Sequence, residues 1–189
     1  MSYLEGRYNY VIVAVIALLS WWLVKLTIID SITPQEGVMH SADYFSSGYT
    51  KWEMAETGEL KTKLLADKMV HYKDDGTIHL DKPVMSFYNA KAPPWVIQSE
   101  TGVVSADGKT VFLNGKAVVD RVKAEGVTPL TINTSNLKVN PEISYAETAD
   151  WAELISLPQR TTGKGMKLSY IEPIRVELLA KVRGKYETK

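Results

Sequence analysis

The chain contains no cysteine among its 189 residues, which excludes disulfides, thiolate nucleophiles and cysteine-bound zinc. It also carries no formal net charge, because 22 Lys and Arg balance 22 Asp and Glu. A chain without net charge gives no indication that it binds nucleic acid or a strongly acidic substrate. Its length allows one domain with a hydrophobic core and leaves little room for a second.

Catalytic motifs are absent as well, since the sequence has no Gly-rich phosphate loop, nucleophile elbow or nucleotide-binding motif. The three histidines are His40, His71 and His79. His71 is close to Asp75 in sequence, and such a pair can bind a metal or move protons in a hydrolase. Asp-Asp-Gly at 74–76 is equally an ordinary turn. We therefore expect no enzyme, no metal and no cofactor, and a membrane-tethered hydrolase is an alternative.

The longest apolar run, YNYVIVAVIALLSWWLV, begins at Tyr8 and extends past Lys25 as far as residue 29. As a helix the extended run measures about 33 Å at ~1.5 Å per residue, close to the apolar thickness of a membrane. Tyr and Trp stand near both ends, where amphipathic rings favour the membrane interface. We predict a cytoplasmic tail at 1–7 and a transmembrane anchor at 8–29. A cleaved signal peptide and a buried helix are the alternatives.

After a connector at 30–47, the sequence predicts an all-β domain at 48–189. Its apolar residues alternate in short segments that turn signals separate, which is typical of a sandwich or barrel. Asp-Gly at 107–108 and Asn-Gly at 114–115 predict tight hairpins, and Pro-Pro at 93–94 predicts a break between strands. Taken alone, the 60–72 segment fits a helix as well as a strand. Its neighbours favour the strand.

A series of short motifs resembles the LptC family, in the family's order and over nearly the whole chain. They are Tyr44-Phe45, Glu56-Thr57-Gly58, Pro83 with Phe87-Tyr88, Pro94-Trp95, Ala106-Asp107-Gly108, Asn133-Thr134-Ser135-Asn136, Ala146-Glu147-Thr148, Gly163-Lys164-Gly165-Met166 and Val182-Arg183-Gly184. No single motif is specific. The ordered set behind an apolar N-terminal run is much harder to obtain by chance.

This resemblance implies a partly open β-jellyroll in the periplasm, on a single-pass inner-membrane anchor with its N-terminus in the cytoplasm. It implies lipopolysaccharide transport from the inner to the outer membrane. The partners implied are lipopolysaccharide, the ABC transporter formed by LptB, LptF and LptG, and the periplasmic protein LptA. In that family jellyrolls join edge to edge, and acyl chains slide along the apolar interior. A structural adaptor without lipid contact is the alternative.

Alternation along the strands gives a set of interior candidates for lipid binding, because every second side chain of a strand faces the same side. They are Trp52, Leu60, Leu64, Met85, Phe87, Trp95, Ile97, Val104, Val111, Leu113, Val118, Leu130, Ile132, Leu137 and Val139. The same pattern fits a filled core, and burial of a large side chain gives ~1.5–3 kcal/mol in either case.

An open sheet also presents an edge to a partner strand. The predicted edge residues are Gly58, Ile174, Val176, Leu178, Lys181 and Arg183. The alternative for the basic residues is ordinary protection of an edge by lysine. For Gly58 it is a turn that needs positive φ.

Overall fold

The computed structural model of this chain describes residues 3–29, 41–89, 92–121, 123–171 and 173–185. They form one helix and ten strands: α1 Tyr3–Ile29, β1 Ala42–Met54, β2 Leu60–Tyr72, β3 Ile78–Asp81, β4 Val84–Asn89, β5 Ala92–Val104, β6 Val111–Arg121, β7 Leu130–Asn140, β8 Tyr145–Ser156, β9 Gln159–Ser169 and β10 Arg175–Lys185. The chain divides into two compact units, Met1–Met39 and His40–Lys189. The predicted all-β domain is confirmed.

The first unit contains α1, which covers the predicted apolar run and begins inside the predicted tail. Its described side chains are exposed and largely apolar, as at Ile16, Leu19 and Trp22. Within the described part of the chain, no helix combines the length and the apolar character needed to cross a membrane. The predicted apolar run at 8–29 is helical along its whole length.

The second unit starts earlier than predicted. β1 begins at Ala42, so residues 42–47, which the sequence assigns to the connector, are already part of a strand. The rest of the predicted connector, apart from residue 41, lies outside the described residues. The early start gives β2 a partner along its whole length, because Ala42 lies opposite Tyr72 and Met54 opposite Leu60.

The strands form one antiparallel sheet in the order β1-β2-β3-β5-β6-β7-β8-β9-β10. β3 and β4 both lie between β2 and β5, because each pairs with β2 on one side and with β5 on the other. β3 lies beside residues 68–71 of β2, and β4 lies beside residues 62–65. The two short strands therefore follow one another along one line. β1 and β10 end the strand order, and each pairs on one side only within the described residues.

A row of β-bulges crosses the sheet. The register shifts between Ser99 and Thr101 in β5, Leu113 and Lys116 in β6, Asn133 and Lys138 in β7, and Thr148 and Trp151 in β8. Each bulge lies beside the next in the register of the ladders. A bulge bends its strand and increases the local twist. A continuous row of them folds the whole sheet along one line, which gives the jellyroll its curvature.

Polar side chains link the bulged strands. The Gly115 N–H donates to Asn136 Oδ1 at 3.1 Å, and Asn136 Nδ2 donates to Asp150 Oδ2 at 2.8 Å. Ser135 Oγ donates to the same Asp150 oxygen at 2.8 Å, and Thr148 Oγ1 donates to the Ser135 carbonyl at 2.7 Å. Backbone groups that the bulges free from the ladder thus find side-chain partners, as buried or half-buried polar groups must.

Two local predictions from the sequence are wrong. Asn-Gly at 114–115 is not a hairpin turn, because Gly115 adopts a positive φ of 75° at the bulge inside β6. Glycine reaches this conformation without strain in a bulge as readily as in a turn. Pro93 and Pro94 do not break the chain but begin β5, where a missing N–H is tolerated. The 60–72 segment is a strand, as its neighbours indicated.

The concave face of the sheet encloses one hydrophobic core. Its fully buried members come mainly from β5 to β9, where Ile97, Leu113, Ile132, Val139 and Met166 are shielded from solvent. Leu178 of β10 packs against this core from the last strand. The buried apolar residues of the strands therefore lie on one side of the sheet.

The contacts of Asp150 in the bulge row predict that the stability of the fold depends on pH. Hydrogen bonds from Ser135 and Asn136 hold the pKa of Asp150 below its ordinary value of 3.8. A depressed carboxyl pKa stabilises the fold above the unfolded value, and this stability is lost as pH falls through the folded value. We expect wild type to melt at a higher temperature than Asp150→Asn at neutral pH, and the difference to shrink once the pH falls below the ordinary carboxyl value of 3.8.

Thermal unfolding followed by circular dichroism from neutral pH to pH 2.5 measures this difference. Glu125→Gln, at an exposed position between β6 and β7, is the matched control and should melt like wild type throughout. A constant difference between wild type and Asp150→Asn at every pH would show that the charge of Asp150 does not hold the bulge row.

Candidate functional site

Most of the predicted interior residues lie on the concave face. Those that are buried are Leu64, Met85, Phe87, Trp95, Ile97, Val111, Leu113, Ile132, Leu137 and Val139. Leu60 is half-buried, and Val104 and Leu130 are half-buried and pack against the core. The structure thus brings these residues to one enclosed face. Whether lipid contacts them stays a prediction.

Trp52 is the clear error in the predicted interior, because its side chain is 57% exposed. In the β1–β2 ladder Trp52 lies opposite Lys63, whose neighbours Thr62 and Leu64 are buried. Residues opposite one another in an antiparallel pair share a face, so Trp52 and Lys63 both point outward. The inward positions of β1 belong to Tyr49, Lys51 and Glu53, which the apolar pattern could not reveal.

Val118 was also predicted on the wrong face of the sheet. Ala117 and Val119 are fully buried, whereas Val118 between them is only half-buried. Odd-numbered residues of β6 face inward from Val111 onward, so Val118 belongs to the outer face. The interior also contains residues that the sequence reading missed: Ala66, Met69, Leu80, Ala117, Val119, Ala146, Ala152, Met166, Leu168 and Tyr170. The small alanines give little hydrophobic signal, but Met166, Leu168 and Tyr170 alternate and were detectable.

A cavity of about 380 Å³ opens into this interior at the β1–β4 end. Its apolar wall is formed by Leu64, Ile78, Leu80, Met85 and Val111. Four of these residues, Leu64, Leu80, Met85 and Val111, also belong to the buried core. The cavity is therefore continuous with the core rather than a surface dent, and its volume is within the range of sites for small ligands.

Charged side chains surround the cavity mouth. Lys51, Glu53 and Lys61 come from β1 and β2, and Lys109 and Glu142 come from the β5–β6 and β7–β8 turns. Lys61 lies 3.8 Å from Glu53, and Lys109 lies 3.7 Å from Glu142. These ion pairs are solvent-exposed, so they contribute little to stability and can exchange partners readily. An apolar wall below a charged rim suits an amphiphile.

The β5–β6 turn holds its part of the rim in place. Ser105 Oγ donates to Asp107 Oδ1 at 2.6 Å, and the Lys109 N–H donates to the same oxygen at 3.0 Å. The hydrogen bond from Ser105 is the main reason that the pKa of Asp107 lies below its ordinary value. Asp107 therefore stays ionised near neutral pH and keeps the turn closed beside the cavity.

One buried hydroxyl in this region, Thr62 Oγ1, has no hydrogen-bond partner among the described residues. Thr62 lines the cavity, and Phe87 opposite it in the β2–β4 ladder contacts the Tyr170 ring at 4.5 Å between centroids. Burial raises the pKa of Tyr170; a side-chain hydrogen bond with Ser144 opposes this shift and the Glu53 carboxylate adds to it. An unpaired buried hydroxyl costs ~1–3 kcal/mol, so the Thr62 hydroxyl is an unusual feature of a packed interior.

The β10 edge carries most of the residues predicted to meet a partner. Val176 and Leu178 are half-buried against the core, whereas Lys181 and Arg183 are exposed. Ile174 precedes the strand and also packs against the core. Close packing of β10 depends on Gly163, because a Cβ there would lie 3.0 Å from Leu178 Cβ. Gly58 is not on this edge.

At the opposite edge, Gly58 lies in the turn between β1 and β2, where its N–H donates to the Ala55 carbonyl at 2.9 Å. Its φ of 81° is what such a turn requires, and open space surrounds the position of a Cβ. The outer face of β1 exposes Phe45 and Trp52. The two edges therefore differ, since β1 is aromatic and β10 is basic.

In the histidine region, His71 lies beside a carboxylate that the sequence analysis did not name. His71 Nδ1 lies 2.6 Å from Asp43 Oδ1 on β1, and its ring stacks on Tyr44. Asp75 instead accepts hydrogen bonds from Thr77 within the β2–β3 turn. Among the residues described, no three His, Cys, Asp or Glu side chains are grouped to hold a metal. His40 lies outside them.

Comparison with solved structures supports the fold. The chain is similar to the crystal structure of LptH from Pseudomonas aeruginosa, described as the LptA homologous periplasmic component of the conserved lipopolysaccharide transport device. The match has a TM-score of 0.52 and 10% identity, and it covers 67% of this chain and 95% of LptH. At that identity the likeness shows the jellyroll fold alone.

A comparison with curated proteins finds no match. The family described as "Lipopolysaccharide-assembly, LptC-related" matches residues 10–187, which is nearly the whole sequence and includes most of α1 and all of the sheet. The ordered motifs noted in the sequence all lie within this range. The chain belongs to the LptC-related lipopolysaccharide-assembly family.

Proposed function

We propose that this chain binds lipopolysaccharide through its acyl chains in the jellyroll interior. It receives the lipid from the inner-membrane ABC transporter formed by LptB, LptF and LptG, and passes it to the periplasmic protein LptA. Membership of a lipopolysaccharide-assembly family supports the substrate class. The observation that carries the proposal is the cavity, because it joins an apolar wall to a charged rim at one open end of the core.

The chemistry of the cavity matches the two halves of the proposed ligand. Acyl chains gain about 25 cal/mol for each Å² of apolar surface removed from water, and Leu64, Met85 and Val111 offer that surface. A phosphorylated sugar stays in water and needs cations. Lys51 and Lys109 stand at the rim, and Glu142, the partner of Lys109, is itself exposed, so it competes only weakly with a phosphate.

The open edges support transfer between jellyrolls. A strand with unpaired N–H and C=O groups can accept a strand of another protein, and the pairing extends the concave face across the junction. β10 carries Arg175, Lys181, Arg183 and Lys185 against one acidic residue, Glu177. Such charge steers association with a partner edge of opposite sign. A structural adaptor is the second candidate function, because the same edges would serve it without any lipid.

Photo-crosslinking in cells separates the carrier from the adaptor. Val111 faces the cavity, and its neighbour Phe112 points outward on the same strand. Met85 and Ser86 form a second pair, buried and half-buried respectively. With a photoreactive residue at each position, we expect crosslinks to lipopolysaccharide from Val111 and Met85 and at least about tenfold fewer from the outward neighbours.

The yield of lipid adducts is measured on gels stained for lipopolysaccharide, with equal probe incorporation verified by mass. Because each control is adjacent to its test position, expression and location are matched. Equal labelling from both faces, or protein adducts alone from all four positions, would contradict transport through the interior and leave the adaptor.

Charge reversal tests the role of the β10 edge. Arg175→Glu with Arg183→Glu removes two exposed cations from this edge. We expect association with LptA to slow by about tenfold at low salt, since complementary charge mainly raises the association rate. The measurement is surface plasmon resonance at two salt concentrations with the melting temperature as a check on folding.

Lys116→Glu with Lys123→Glu changes the net charge equally at exposed positions away from β10. This control should associate like wild type. If both double variants lose the same fraction of their association rate, overall charge and not the β10 edge governs the encounter.

A further inference from the structure

We propose that Arg121, which lies over the ring of Trp95, forms an oxyanion-binding subsite at the end of the interior where β6 finishes. The group that it binds is a phosphate, either free or carried by the head of an amphiphile. The inference goes beyond the proposed function, because it needs an anion and not an acyl chain. It also assigns a site away from the cavity rim.

Arg121 ends the row of inward-facing residues on β6. Ala117 and Val119 precede it in the same alternation and are fully buried. Its ladder partners are Trp95 of β5 and Leu130 of β7. Trp95 is only 4% exposed, and Arg121 itself is half-buried. A charged side chain therefore follows a row of apolar ones on the concave face, directly beside the core.

The charge of Arg121 has no carboxylate partner among the described residues. Its Nε is buried and makes no hydrogen bond with them. The guanidinium carbon lies 5.4 Å from the centroid of the Trp95 ring, and such a contact offsets only part of what a cation loses on leaving water. The adjacent carboxylate, Asp120, belongs to the opposite face and accepts a hydrogen bond from Thr131 Oγ1 at 2.8 Å. The donors of Arg121 are therefore left for a ligand.

An oxyanion fits this arrangement. A guanidinium presents its donors in one planar fork, which matches two oxygens of a phosphate. The subsite is also separate from the cavity rim. Val104 and Val111, which line the cavity, pair at one end of the β5–β6 ladder, and Trp95 and Arg121 pair at the other end. The interior therefore has a cation near each end of this ladder, Lys109 at the rim and Arg121 at the far end.

Nuclear magnetic resonance of the purified full chain tests the assignment, because the Arg121 Nε–H signal is identified by its loss in Arg121→Met. The chain is titrated in detergent-free buffer with octyl phosphate, octyl glucoside and inorganic phosphate, and both amphiphiles stay below their micelle concentrations. We expect octyl phosphate to shift the Arg121 signal. We expect it to bind at least about tenfold more tightly than octyl glucoside, since charge-assisted hydrogen bonds are the stronger ones.

The variants separate charge from packing. Arg121→Met keeps an apolar stem over Trp95 and removes the charge, so it should lose the tenfold preference, bind octyl glucoside as wild type does and keep its melting temperature. Arg160→Met is the matched control, because Arg160 is exposed and already holds Glu153 at 3.1 Å, and it should leave the preference unchanged. Lys51→Gln with Lys109→Gln removes the rim cations and should leave the shift of the Arg121 signal intact.

Inorganic phosphate identifies the source of the anion. If it binds as tightly as octyl phosphate and shifts the Arg121 signal, the subsite takes free phosphate; if octyl phosphate binds more tightly, the subsite takes the head of an amphiphile. The subsite is wrong if neither phosphate shifts the Arg121 signal, or if Arg121→Met keeps the preference. Failure of both amphiphiles to bind contradicts lipid binding in the interior and so the proposed function, and inorganic phosphate alone then decides the subsite.

Discussion

The fold depends on one constraint, the line along which the sheet bends. A long antiparallel sheet buries its apolar face only if it curls, and the bulges of β5 to β8 supply that curvature at adjacent positions. Gly115 and Asn136 adopt positive φ at this line, and Asp150 accepts the hydrogen bonds that hold it together. Without the bend, Ile97, Leu113 and Ile132 would lie on an exposed flat face.

The bend also explains why the interior is packed at one end and open at the other. β5 to β9 cross the bulge row and close around fully buried residues. β3 and β4 are short strands that lie one after the other between β2 and β5, so the backbone at this end of the sheet is less continuous and encloses the interior less completely. β1 then presents Lys51 and Glu53 inward, where they meet water at the cavity mouth. A polar inner face on an edge strand is tolerated only because the cavity is open there.

Much of the fold was predictable from alternation, which correctly assigned Ile132, Leu137 and Val139 to the interior. The failures have physical causes. Trp52 was misplaced because the register with β2, not hydrophobicity, decides which face an edge strand buries. The Asn-Gly bulge in β6 was read as a hairpin because both need the same positive φ. Thr62 carried no sequence signal, since its place on the cavity wall depends on how the sheet curves around it.

The interior distinguishes carrier from adaptor better than the edges do. An adaptor needs a rigid sheet and two open edges, and a core filled with leucine would provide both with greater stability. This chain instead keeps a cavity of about 380 Å³, and the buried Thr62 hydroxyl on its wall has no hydrogen-bond partner among the described residues. An unpaired hydroxyl costs ~1–3 kcal/mol, and Val of nearly the same shape would remove that cost. A persistent, avoidable loss of stability beside an amphiphilic cavity is typical of a binding site, and it favours the carrier.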